Sequence, residues 1–81
     1  MTQNVSLTTS LEAVAVPKWS LHGDGHVIAA SIVQDFPSVE ARILLDGRLL
    51  YRSRHISRDA AEQELVALRG HWAREGWIDT V

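Results

Sequence analysis

Five arginines crowd into residues 41–58. Arg42, Arg48, Arg52, Arg54 and Arg58 stand against one acid, Asp46, so this stretch carries +4 while the whole 81-residue chain carries −2. A guanidinium group is a planar fork that matches phosphate oxygens in pairs and stacks on bases, so these five residues are the candidate phosphate contacts of a nucleic-acid backbone. Interleaved with leucine, the same side chains also suit a protein interface. The candidate interaction face is Arg42, Leu44, Leu50, Arg52 and Arg54. An aromatic platform for bases is missing, because the nearby ring, Tyr51, falls on the other side of the strand pattern. The plain alternative is a solvated surface whose arginines pair with Glu40 and with the acidic helix that follows.

Other chemistry is thinner. His22 and His26 flank Gly23-Asp24-Gly25, and with Asp24 they could offer two or three metal ligands, His55 or His71 completing the set. A Gly-Asp-Gly turn between polar strand residues explains the same letters, and the spacing matches no metal signature. The expectation is no metal and no cofactor. The chain has no cysteine, no glycine-rich phosphate loop opening a helix, and no two carboxylates fixed on one buried face, so the reading is non-enzymatic. Trp19, Trp72 and Trp77 read as core and cap residues.

These residues must be positioned by elements, and the stretch from Ser57 to Gly76 is the one long helix. Ser57 is a good N-cap, and Asp59 with Glu62 offers a capping box slightly further in. Ala61, Leu65, Leu68 and Trp72 recur at helical spacing and form one apolar stripe. Gly76 is placed as the left-handed residue after the helix, which makes Trp72 and Trp77 the touching pair of a Schellman motif. Asp59, Glu62 and Glu64 lie toward the positive end of the helix dipole, and Arg69, His71 and Arg74 toward the negative end. Gly70 has no explanation at this level.

Before the helix the pattern is that of strands. Leu11–Val16 reads as a short strand stopped by Pro17. Trp19 to His22 and His26 onward read as a hairpin whose three-residue loop sets His22 opposite His26 and Leu21 opposite Val27. Val27–Val33 is apolar throughout, as in a central strand covered on both faces. Val39, Ala41, Ile43 and Leu45 then alternate with polar residues, and Leu49, Tyr51, Ser53 and His55 do so after the turn. A two-residue Asp46-Gly47 turn would put Arg48, Arg52 and Arg54 on the apolar face, so the pattern favours a three-residue loop with a bulge at Gly47, pairing Ile43 with Leu49, Ala41 with Tyr51 and Glu40 with Arg52.

The expected fold is α+β: an antiparallel meander of three to four strands with one C-terminal helix packed across one face. Residues 1–10 read as a flexible N-terminal segment and 11–81 as a single domain. Hydrophobic residues make up 46% of the chain, ordinary for a folded protein. No apolar run reaches a membrane span and no signal peptide is legible, so the expected setting is the cytoplasm, with no membrane partner. The functional expectation is a small module that binds a protein partner or itself as a homodimer. Nucleic-acid binding by the arginine-bearing face is the alternative.

Overall fold

Two Asp-Gly pairs organise the sheet. In the computed structural model, which describes residues 14–35 and 37–80, Asp24 and Gly25 have φ of 51° and 80°, and Asp46 and Gly47 have φ of 51° and 85°. Left-handed backbone at both central residues is the requirement of a two-residue type I′ hairpin, whose twist matches that of the strands it joins. The first pair joins β1 (Val14–Gly23) to β2 (His26–Asp35), and the second joins β3 (Ser38–Leu45) to β4 (Arg48–His55). Both hairpins are therefore tighter than the three-residue loops that the sequence suggests. His22 lies opposite Val27, not His26, and Leu21 opposite Ile28.

The conflict that argued against a two-residue turn at Asp46-Gly47 is resolved within β4. Leu45 pairs with Arg48 and Leu44 with Leu49, then the register shifts and Ile43 meets Tyr51. Leu50 is the extra residue of a bulge. The bulge restores the alternation, so Tyr51, Ser53 and His55 face the helix and Arg52 and Arg54 do not. Glu40 consequently stands opposite Arg54 and Ala41 opposite Ser53, one pair step from the expected register.

Strand order is β4-β3-β2-β1-β5, where β5 is Ile78–Asp79, with all neighbours antiparallel. Helix α1 (Arg58–Arg74) lies across one face, giving the two-layer α+β arrangement. The strand beyond the expected three to four is β5 (Ile78–Asp79), which follows the helix and pairs with Leu21 and His22 of β1. The Thr80 N–H extends that ladder to the Ser20 carbonyl at 3.1 Å. β1 does not stop at Pro17. It passes through that residue with an irregularity between Pro17 and Trp19, which suits a residue that has no N–H to give a ladder. The N-terminal segment 1–10 and the first residues of the expected Leu11–Val16 strand lie outside the described residues.

The helix has the ends its sequence specifies. Ser57 Oγ accepts from the Ala60 N–H at 3.2 Å, while Glu62 takes part in ion pairs with Lys18 and Arg58 in place of a capping box. At the other end Gly76 has φ of 101°. The Trp77 N–H reaches the Trp72 carbonyl and the Gly76 N–H the Ala73 carbonyl, each at 3.1 Å, the two bonds of a Schellman motif.

The core follows from this. Leu21, Ile28, Ala30, Ile32, Val39, Ala41 and Ile43 of the sheet are buried, as are Ala61 and Leu65 of the helix. Leu68, Trp72, Trp19 and Trp77 pack against them. Full burial of one such leucine or isoleucine stabilises by about 1.5–3 kcal/mol, and the alternation in β2 and β3 aims these side chains at one layer. The expectation that β2 is covered on both faces holds only in part. The helix covers one side, and on the other Val33 is buried while Val27 is 41% exposed.

Candidate interaction face

The face of the sheet opposite the helix is built from every second residue of three strands. Register places Val33 beside Glu40, Ser31 beside Arg42 and Ala29 beside Leu44 across β2 and β3. Across β3 and β4 it places Glu40 beside Arg54, Arg42 beside Arg52 and Leu44 beside Leu49. Two arginines thus stand directly opposite one another, an arrangement that is unfavourable unless a counter-charge is near.

Glu40 supplies it. It is 3% exposed, a buried carboxylate, and such a group is tolerated when charged donors replace the water it has lost. Its Oε1 accepts from Arg42 Nε at 2.8 Å and its Oε2 from Arg54 Nη2 at 3.4 Å. The Arg42 hydrogen bond outweighs burial, and with Arg54 and the charge of Arg52 it holds the Glu40 carboxyl below the usual range. Three guanidinium groups share one carboxylate, so the patch keeps an excess of positive charge. Arg42 is the more enclosed of the bound pair, and Arg54 is largely open to solvent.

The five arginines do not form one strip. Arg42, Arg52 and Arg54 share the outer face, Arg48 sits beside the hairpin turn opposite Leu45, and Arg58 opens the helix and pairs with Glu62 at 3.3 Å. The leucines are also redistributed. Leu44 is joined by Leu49 as its direct neighbour, while Leu50 is the bulge residue. Leu49 and Leu50 are 52% and 51% exposed, and Ile56, just beyond β4, is 95% exposed.

On the helix side of β4 lies a polar cluster that pattern reading alone did not assemble. Ser53 Oγ donates to Glu64 Oε1 at 2.7 Å, His55 Nε2 meets the same oxygen at 2.6 Å, and Tyr51 OH donates to Glu64 Oε2. The signal was present: Tyr51, Ser53 and His55 alternate on one face, and Glu64 adjoins the stripe residue Leu65. Burial would raise the Glu64 pKa, but the hydrogen bonds from Tyr51, Ser53 and His55 together prevail and lower it. The Glu64 bond raises that of Tyr51. Ser53 Oγ lies 2.9 Å from His55 Nε2, so serine and glutamate both meet the same imidazole nitrogen. A relay needs them on opposite nitrogens. The cluster instead ties β4 to α1.

The histidines disperse in a similar way. His26 Nδ1 meets Asp46 Oδ2 at 2.6 Å, and Asp46 also accepts from the Val27 N–H through Oδ1 at 2.9 Å. That bond is the leading reason why its carboxyl lies below the usual range. His71 stands edge-on to Trp72, with ring centroids 5.9 Å apart. Among the described residues no three potential ligands gather around one metal position, and no helix is long and apolar enough to cross a membrane. No protein-family model, curated protein or solved structure matches the chain.

Proposed function

We propose that this chain is a non-enzymatic protein-interaction module that engages its partner along the β4 edge and the adjoining outer face. The supporting observation is the difference between the two edges of the sheet. An uncovered edge presents backbone N–H and C=O groups that readily pair with another strand, and stable proteins blunt such edges. The β1 edge is blunted three ways: by Pro17, by the irregularity beside it, and by β5 laid against Leu21 and His22. The β4 edge has eight residues, pairs only with β3 among the described residues, and carries exposed Leu49 and Leu50. An added strand there would gain main-chain hydrogen bonds from the edge and side-chain contacts from Arg52, Arg54 and the leucines, with Arg42 and Leu44 behind them.

The test is a titration of the isotope-labelled protein with short extended peptides of varied charge, followed through backbone amide resonances. Binding should shift β4 amides from Leu49 to His55 and leave those of β1 and β5 in place. Shifts scattered over the surface, or none with any peptide, would defeat the proposal.

A further inference from the structure

Resting on that reading, we infer that the β4 edge is built to accept an extended acidic segment of a different protein and to refuse a second copy of this chain. The argument starts from the order of charges along the edge. Between the bulge and the helix, β4 runs regularly from Tyr51 to His55 with Arg52 and Arg54 on the outer face, and no residue from Arg48 to His55 is acidic. Residues that oppose one another in an antiparallel pair project from the same face.

Consider a second copy added antiparallel at this edge. In the register centred on Arg52 that residue opposes Arg52 of the copy. One pair step along, Arg52 opposes Arg54, and one step further Arg54 opposes Arg54. Every antiparallel register that overlaps more than one residue of the Tyr51–His55 stretch therefore sets arginine against arginine. Like charges directly opposite destabilise a strand pair. Glu40 offsets only one of these charges, and it already pairs with Arg42 and Arg54 of its own chain. The same arginines that keep copies apart set the charge of an acceptable partner. A strand with carboxylates two residues apart places both on the outer face, opposite Arg52 and Arg54, while its intervening residues lie on the side of Tyr51, Ser53 and His55. Those three are already occupied with Glu64, so discrimination falls to the outer face.

The probes are fluorescein-labelled heptapeptides alternating threonine with glutamate, glutamine or lysine, titrated into the full chain by fluorescence anisotropy at low and high salt. The glutamate peptide should bind about tenfold more tightly than the glutamine peptide, a preference that fades with salt, and the lysine peptide should bind weakest. Arg52→Glu should reverse the order of the glutamate and lysine peptides. Arg54 contacts buried Glu40, so the milder Arg54→Gln serves there and should lower the glutamate preference without unfolding the chain. Equal binding of all three peptides along β4 would overturn the charge preference while leaving the edge proposal standing. Absence of binding by any peptide would overturn both. Sedimentation that reveals a dimer dissolved by Leu49→Asp would overturn the exclusion of a second copy. Salt-sensitive binding of labelled single- or double-stranded oligonucleotide, lost on replacing Arg42, Arg52 and Arg54 by alanine, would transfer the face to nucleic acid and overturn the inference.

Discussion

The indole of Trp77 lies so close over Gly23 that a Cβ on Gly23 would stand 2.8 Å from Trp77 Cδ2. Gly23 ends β1 and Trp77 follows the Schellman turn of the helix, so this contact closes the path from α1 back to the sheet and delivers β5 to its place. The glycine is needed here for space. Gly23→Ala should destabilise by about 1–3 kcal/mol, as overpacking does, and the loss should shrink in a Trp77→Leu background. Urea denaturation of the double-mutant cycle measures the coupling, and a coupling near zero would show that the ring simply moves aside.

Gly70 is the contrasting case. It lies within the helix, and a Cβ there would meet only Arg74 Nη1 at 3.4 Å, an ordinary contact with the end of a flexible side chain. Gly70→Ala should therefore stabilise by up to about 1 kcal/mol. The urea midpoint should rise with an unchanged slope. Nothing in the structure explains why glycine stands there.

The two facing tryptophans should respond differently. Trp19 and Trp72 have ring centroids 6.4 Å apart, and Trp19 Nε1 is buried with no hydrogen-bond partner among the described residues. An orphaned donor costs about 1–3 kcal/mol, which offsets part of what the ring contributes, so Trp19→Phe should be within about 1 kcal/mol of neutral. Trp72→Ala removes a core-packed ring at the base of the helix and should cost about 3–5 kcal/mol. A loss under about 1 kcal/mol for Trp72→Ala would mean that the ring contributes little to the core.

Acid should loosen the tie between β4 and α1. The Glu64 carboxyl lies below its ordinary value of 4.5, and so does that of Glu40. A carboxylate with a depressed folded-state pKa stabilises fully above its unfolded value and loses that contribution as pH falls through the folded value. Unfolding free energy should therefore be level on this account down to about pH 5 and fall below about pH 4.5. Glu64→Gln should cost on the order of 1–3 kcal/mol near neutral pH and flatten the acid limb. An acid limb of unchanged steepness in that variant would remove Glu64 from the account.

Edge leucines should be nearly silent for stability and loud for binding. Leu49 and Leu50 are half exposed, so Leu50→Asp should change stability by about 0.5 kcal/mol or less. The same substitution should lower peptide affinity at β4 by about tenfold or more, because it removes apolar contact and adds an acid facing an acidic strand. Unaltered peptide affinity would place the bound strand elsewhere.

What the sequence determined by itself is local. Ser57 and Gly76 bound the helix because their bonds reach no further than one turn, and the stripe from Ala61 to Trp72 follows from the helical period alone. Alternation along β3 and β4 likewise assigned Arg42, Arg52 and Arg54 to one face and Tyr51, Ser53 and His55 to the other, since the period of a strand is fixed by its backbone. Tertiary structure decided what depends on a neighbour. An Asp-Gly pair can serve a two- or a three-residue loop. At Asp46 the choice fell to two because the Val27 N–H, its carbonyl and His26 hold that residue from the adjacent strand, and the bulge at Leu50 then recovered the alternation. Placement of β5 needed the helix to end over Gly23. Pairing of Glu40 with Arg54, and the gathering of three β4 side chains on Glu64, required a register and a helix position that no window of the chain contains, because those contacts join residues whose separation is set only once the sheet and the helix have packed.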